Sequence, residues 1–125
     1  MKKKRILIVD DEPDVNLALR IVLEDNNFIV DSFNEPLRAL ENFKANLYDL
    51  IILDIQMPGI NGFELYRQIR KIDDKVKVCF LTASEMYYEE FRKELFPALE
   101  NNCYIQKPIE NETLIKRLNR IISTK

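Results

Sequence analysis

Asp10, Asp11, Asp54, Thr82 and Lys107 are the polar residues that interrupt the most apolar runs of this 125-residue chain, each just past the carboxyl end of a run. Three carboxylates gathered at one place repel, and the arrangement persists when a cation neutralises it or one carboxyl keeps its proton. A hard divalent cation is the simpler answer. Magnesium takes about six oxygens and keeps several of them as water, so two carboxylates, one backbone carbonyl and a phosphate oxygen suffice. Asp11 and Asp54 suit direct ligation, and Asp10 suits ligation directly or through a water. A phosphoryl group on Asp54 would then lie between the metal and the Lys107 ammonium, with the Thr82 hydroxyl as a further donor. In-line attack by a carboxylate on phosphorus needs positioning and charge neutralisation above all. That carboxylate is expected to be ionised at neutral pH, and the acyl phosphate it forms is hydrolysable, which makes the mark transient.

Each residue also has a plainer reading. Asp10 and Asp11 could begin a loop and cap a helix, Asp54 could open a turn, Thr82 could cap, and Lys107 could be a solvated charge. Their coincidence at successive strand ends is what favours chemistry.

The elements that must position them alternate in type. Short aliphatic or β-branched runs at 6–9, 28–33, 50–53, 76–81 and 103–106 read as strands, separated by stretches of helical periodicity. Four of the five are almost wholly apolar, as strands covered on both faces are, and the second alternates as a strand near an edge does. Helices are expected over 13–25, with Pro13 in the first turn and Val15, Ala18, Leu19 and Val22 inward. The second begins near Asn34 as a cap, with Leu37, Leu40 and Phe43 inward. The third carries Leu65, Ile69 and Ile72. A fourth spans 86–96 and ends at Pro97, and a fifth carries Leu114, Leu118, Ile121 and Ile122. Such alternation gives an α/β fold, a doubly wound parallel sheet in a three-layer sandwich, whose ligands bind at the carboxyl edge of the strands.

Composition narrows the field. Hydrophobic residues at 46% against 32% charged, with no repeat or linker-like tract, fit one globular domain over 1–125. Nineteen basic and 21 acidic residues leave a net charge of -2, so no overall positive field holds a nucleic acid. Nothing approaches the ~20 apolar residues of a membrane helix, and the expected location is cytoplasmic, away from membranes. Cys79 and Cys103 lie inside apolar runs and read as buried thiols. The chain has no histidine, which removes an internal phosphohistidine relay, a Ser-His hydrolase and the usual zinc sites.

The segments Ile6-Leu7-Ile8-Val9-Asp10-Asp11-Glu12-Pro13, Leu53-Asp54-Ile55-Gln56-Met57-Pro58-Gly59-Ile60-Asn61-Gly62, Leu81-Thr82-Ala83 and Tyr104-Ile105-Gln106-Lys107-Pro108 together resemble the receiver family of two-component response regulators, across nearly the whole chain. The resemblance implies a flavodoxin-like sheet of order 2-1-3-4-5. It implies that Asp54 is the phosphoacceptor, phosphorylated from the phosphohistidine of a sensor histidine kinase or a phosphotransfer protein, and that the surface offered to an unnamed downstream protein then changes. Asp10 and Asp11 match the family's acidic pair, and the Gln56 backbone carbonyl matches the third protein ligand to magnesium, for which manganese is the alternative. Thr82 matches the switch hydroxyl, Lys107 the phosphate-binding lysine and Tyr104 the aromatic that changes rotamer with Thr82. The Lys107-Pro108 bond matches a family cis peptide that aims the ammonium inward. By this reading the chain is a signalling domain with self-catalysed phosphorylation and dephosphorylation, and not a turnover enzyme.

Two departures bear on output. Glu100-Asn101-Asn102-Cys103 replaces the Gly-Ala pair common before the fifth strand, the asparagines making the turn. The fourth helix is rich in Tyr87, Tyr88, Phe91 and Phe96, some of which are expected to be exposed as a partner surface. Two rival functions remain. An aspartate-based phosphatase of the haloacid dehalogenase type needs a second carboxylate two residues past the nucleophile, where this chain has Gln56, and it needs a cap domain. A phosphorylation-independent interaction module is the other.

Overall fold

The computed structural model describes residues 3–95, 98–100 and 103–123. Five strands and five helices alternate: β1 (Arg5–Val9), α1 (Pro13–Asp25), β2 (Ile29–Phe33), α2 (Pro36–Asn42), β3 (Leu50–Leu53), α3 (Gly62–Ile72), β4 (Lys77–Thr82), α4 (Tyr88–Glu94), β5 (Tyr104–Gln106) and α5 (Asn111–Ser123). A 3-10 turn, Glu85–Tyr87, leads into α4. The sheet is parallel throughout and ordered β2-β1-β3-β4-β5, the doubly wound arrangement expected.

Register makes the carboxyl edge a single site. Val9 lies opposite both Phe33 and Leu53, Leu53 opposite Phe80, and Phe80 opposite Tyr104. Asp10 and Asp54 therefore leave the sheet at the same level, on adjacent strands. The central strands β1, β3 and β4 are buried almost end to end, while edge strand β2 is less covered, with Ile29 exposed, Val30 buried and Asp31, Ser32 and Phe33 half-buried, so the expected alternation does not run its length.

α1 starts at Pro13, whose missing N–H costs nothing in a first turn, and stops where Asn27 takes φ 70°, a left-handed value that asparagine tolerates. Its buried face is Asn16, Leu19 and Leu23; Val15 and Val22 are half-buried and Ala18 is exposed, so the inward stripe is set by Leu23 more than by Val22. α2 begins at Pro36 with Glu35 as its N-cap, and Asn34 caps nothing. That start turns Pro36, Ala39 and Phe43 inward and leaves Leu37 56% exposed, against expectation. α3 is capped by Asn61, whose Oδ1 accepts from the Glu64 N–H at 2.9 Å. Leu65 and Ile69 are buried as expected, with Phe63 and Tyr66 beside them, but Ile72 in the last turn is 45% exposed, against expectation.

The expected fourth helix is shorter, broken into the 3-10 turn and α4, with Ser84 accepting from the Met86 N–H at 3.2 Å in place of a helical bond. Phe91 is wholly buried against Phe80, and Tyr87 and Tyr88 are half-buried, so this aromatic cluster is mainly core. Phe96, Pro97, Asn101 and Asn102 lie outside the described residues. In α5, Leu114, Leu118 and Ile121 are buried and Ile122 half-buried. Cys79 and Cys103 are free buried thiols. Among the described residues no helix is long and apolar enough to cross a membrane.

Candidate functional site

Strand ends and the turns after them assemble the site. Asp10 leaves β1 with its N–H on the Phe33 carbonyl at 3.2 Å, and Asp54 leaves β3 with its N–H on the Val9 carbonyl at 2.9 Å. These backbone bonds continue the sheet one step past its formal end and fix both carboxylates side by side. One carboxylate oxygen from each of Asp10, Asp11 and Asp54 lies within 4.8 Å of the others. Asp10 and Asp54 are buried, at 2% and 6% exposure, and Asp11 is half-buried. A trio of oxygens at that spacing fits a hard divalent cation, which needs oxygen ligands and tolerates water in its remaining positions.

Lys107 arrives from the end of β5. Its Nζ is 3.2 Å from Asp10 Oδ2, and its backbone N–H donates to the Thr82 carbonyl at 2.7 Å, tying the β5 exit to that of β4. The Lys107-Pro108 peptide is cis, as the motif implied. Asp10 Oδ1 accepts from the Glu12 N–H at 3.0 Å, so both Asp10 oxygens have partners. The sequence placed Lys107 beside Asp54 across a phosphoryl group; here its direct contact is Asp10, and it acts on Asp54 through its field.

That field is outweighed. Burial is the largest influence on the Asp54 carboxyl and the Asp10 charge the next; Lys107 opposes them, and the Asp11 carboxylate adds a hydrogen bond and more negative potential. Together they push Asp54 up to about 7. The expectation of a fully ionised nucleophile at neutral pH is therefore corrected for the protein alone: near pH 7 Asp54 is divided between its two forms, and bound positive charge is what favours the carboxylate.

The carboxylates face a cleft of about 480 Å³ whose walls include Asp11, Asp54, Gln56, Thr82, Ala83 and Lys107. Gln56 is exposed at its rim. Thr82 is buried, and its Oγ accepts weakly from the Ser84 N–H at 3.4 Å. Tyr104 is not part of the cleft wall. It is buried with its ring 5.3 Å from that of Tyr88 and 5.4 Å from that of Phe91, and its hydroxyl donates to the Ser84 carbonyl at 2.8 Å. Burial raises its phenol above the ordinary value. The sequence-derived residues thus fall into two groups, with Asp11, Asp54, Gln56, Thr82 and Lys107 lining the cleft and Asp10 buried beside them on Lys107, and with Tyr104 behind the loop that follows Thr82.

One positioning residue, Asn16, escaped sequence reasoning, and a second, Gly62, is expected from the sequence to serve backbone geometry near the active-site loop and the third helix. Asn16 is buried on α1, and its Nδ2 donates to the carbonyls of Phe33 at 2.9 Å and Asp10 at 3.2 Å. An amide in a row of apolar inward positions was the available signal. Gly62 begins α3 against the Asp54 backbone: a Cβ there would lie 2.4 Å from the Asp54 carbonyl oxygen, and its N–H donates to Ile55 at 2.8 Å. Glycine is needed for that close approach.

A family profile described as the response regulator receiver domain matches residues 6–119. The chain belongs to the response regulator receiver family. Among curated relatives, the receiver is 34% identical over 118 residues to the response regulator ArlR of Staphylococcus saprophyticus, covering 94% of this chain and 52% of that protein. It is 32% identical over 118 residues to the uncharacterised transcriptional regulatory protein YkoG of Bacillus subtilis, covering 94% and 50%. The chain thus spans about half the length of the curated relatives it matches. Among solved structures, the non-phosphorylated HemR receiver domain of Leptospira biflexa superposes with a TM-score of 0.85 at 32% identity, covering 98% of this chain and 97% of that one. The response regulator TrrA of Thermotoga maritima, in complex with Mg2+ and BeF, superposes with a TM-score of 0.76 at 33% identity, covering 94% and 98%. The receiver fold, a flavodoxin-like sheet flanked by helices, is common to them.

Proposed function

We propose that this receiver accepts a phosphoryl group on Asp54 from a histidine kinase or phosphotransfer protein, in a magnesium-dependent reaction, and so switches the surface it offers a downstream protein in the cytoplasm. The single observation that carries this reading is the convergence of Asp10, Asp11 and Asp54 within 4.8 Å, with Lys107 on the same cluster, at the floor of an open cleft.

The donor is external, because the chain has no histidine of its own. Asp11, Asp54 and the Gln56 carbonyl, with Asp10 directly or through a water, would hold the cation, magnesium or in its place manganese. When bound, that ion supplies positive charge that favours the Asp54 carboxylate and offsets the charge of the phosphoryl oxygens. An Asp54 oxygen attacks phosphorus in line as the phosphorus–nitrogen bond of the donor phosphohistidine breaks, leaving neutral imidazole after proton uptake. Lys107 supplies an ammonium to one phosphoryl oxygen and Thr82 a hydroxyl donor to another. Hydrolysis reverses the mark: water adds to phosphorus, and the Asp54 carboxylate leaves with its own oxygen.

Thr82 joins the site to the surface. Moving its hydroxyl toward a phosphoryl oxygen draws on the Ser84 N–H bond, and Ser84 is also the residue that holds the Tyr104 hydroxyl. The β4–α4 loop and Tyr104 are thereby coupled to occupancy of Asp54. The domain acts as a signalling element and is modified once per cycle. No direct contact with nucleic acid is part of this reading, since the chain carries a net charge of -2.

The nature of the bond tests the proposal. Label transferred from a phosphorylated kinase in magnesium is expected to be released by hydroxylamine and by alkali and to survive brief acid, as an acyl phosphate does. A label stable to hydroxylamine would reject Asp54 as the acceptor.

A further inference from the structure

Cys79 in β4 and Cys103 just before β5 are the chain's two cysteines, and the phosphoryl chemistry uses neither. The parallel register sets Phe80 opposite Tyr104 and Leu81 opposite Ile105, so one step earlier it brings Cys79 level with Cys103. Adjacent strands lie about 4.8 Å apart, inside the ~4.4–6.8 Å that separates the Cα atoms of a disulfide. The rings at the next position, Phe80 and Tyr104, both pack on Phe91 of α4. Alternation turns the two thiols to the opposite face of the sheet, where the Arg117 guanidinium of α5 acts on both.

The two thiols differ in access. Cys79 is wholly enclosed, and its Sγ donates only weakly, to the Phe80 carbonyl at 3.9 Å. Cys103 keeps 7% of its surface exposed and shares with Ile121 of α5 the wall of a cavity of about 200 Å³. Burial raises both thiols above the ordinary range, and at Cys79 the charge of a Cys103 thiolate is the next influence. Cys103 is therefore the sulfur that ionises first and the one a small oxidant meets, with Cys79 directly behind it.

We propose that Cys79 and Cys103 form a redox site, in which hydrogen peroxide closes a disulfide that staples β5 to β4 in the folded chain. The Cys103 sulfur attacks one peroxide oxygen, the O–O bond breaks, and the departing hydroxide takes up the thiol proton as water, leaving a sulfenic acid. The Cys79 sulfur then attacks the Cys103 sulfur, the S–O bond breaks, and a second water leaves with the Cys79 proton. Two thiols are thereby oxidised to one disulfide as one peroxide is reduced to two waters. Because burial keeps both thiols protonated, the reaction is slow, and the pair answers sustained exposure and not a brief pulse. The bond fixes the strand from which Tyr104 and Lys107 reach, and a thiol reductant reverses it. It does not depend on phosphorylation of Asp54.

The test is intact mass and a non-reducing peptide map of the reduced wild-type chain after prolonged incubation with excess hydrogen peroxide in native buffer, quenched with a thiol-alkylating agent. The chain is expected to lose two hydrogens, to take up no alkyl group, and to yield one linked peptide pair containing Cys79 and Cys103; dithiothreitol should return both thiols. In Cys79→Ala the peroxide should instead add oxygen at Cys103, and in Cys103→Ala the enclosed Cys79 should stay reduced. The wild-type map stands without the variants should either fail to fold. The melting temperature of the oxidised chain is expected to rise by roughly 5 °C or more, because the bond closes a loop through α4 that the unfolded chain otherwise leaves open. Thiols that stay reduced, oxygen added at Cys103 with Cys79 still free, a disulfide between two chains, a bond that forms only in denaturing urea, or a lower melting temperature would overturn the staple.

Discussion

Lys107 Nζ and Asp10 Oδ2 lie 3.2 Å apart although 97 positions separate the two residues in the chain. The contact bridges the ends of β5 and β1, which are not neighbours in the sheet, across the mouth formed by β3 and β4. Among the described residues it places the only ammonium in the cleft wall on the most deeply buried carboxylate, and it opposes the negative potential that Asp54 experiences.

Removing that ammonium should therefore weaken both stability and chemistry. Lys107→Ala leaves buried Asp10 without its cation, at an expected cost on the order of 2 kcal/mol in metal-free urea unfolding. Phosphorylation from a small donor should slow by about a hundredfold, as for loss of one positioned charge at a transferring group. Magnesium should restore much of the stability and little of the rate. A variant that unfolds like wild type and phosphorylates at the wild-type rate would contradict this role.

Asp54 makes stability depend on pH in a defined direction. Its carboxyl is raised from 3.8 to about 7 in the folded chain, so the unfolded chain gives up this proton first as pH rises. The resulting penalty is absent below the unfolded value, grows between about pH 4 and 7, and is complete above that. Asp54→Asn removes it. Without metal, the variant should match wild type near pH 4 and exceed it near pH 8 by on the order of 2 kcal/mol, about half of what the full shift implies because the carboxyl opens on the solvent of the cleft. Thermal or urea unfolding at the two pH values reads this directly, and a gap independent of pH would count against the charge crowding.

Asn16 offers a separate test of how Asp10 is held. Asn16→Leu keeps the size and removes both donors, leaving the buried Asp10 carbonyl unpaired at a cost of about 1–3 kcal/mol. Magnesium affinity should fall as the acidic loop loosens, and Asn16→Gln should restore part of it. Unchanged metal affinity in a destabilised Leu variant would confine Asn16 to the fold.

Gly62→Ala drives a methyl to within 2.4 Å of the Asp54 carbonyl oxygen, a backbone atom with little room to yield. The expected loss is about 2–3 kcal/mol, with slower phosphorylation because the start of α3 must move away from the phosphoacceptor. Chemical denaturation and donor-dependent kinetics measure the two effects.

The strand ends were legible in the sequence because apolar runs buried on both faces stop abruptly at polar residues, and parallel register then brings Asp10, Asp54, Thr82 and Lys107 to one edge. Helix faces were less legible. The stripe of α2 depended on whether Asn34 or Glu35 capped it, and one residue of shift exposed Leu37. Asn16 was hidden because its part is played against backbone atoms distant in sequence, whereas Gly62 was legible as a glycine serving backbone geometry, and only its partner, the Asp54 carbonyl, needed the fold. The state of Asp54 was misjudged for an electrostatic reason: its charge depends on burial and on three neighbours at distances only the folded chain sets.

Intact mass after incubation with magnesium and a small acyl-phosphate donor tests the central claim most directly. Wild-type chain should gain one phosphoryl group, and neither Asp54→Asn nor the chelated wild-type protein should gain any. A phosphoryl group retained on Asp54→Asn, or a wild-type chain that stays unmodified with magnesium and donor in excess, would contradict the account.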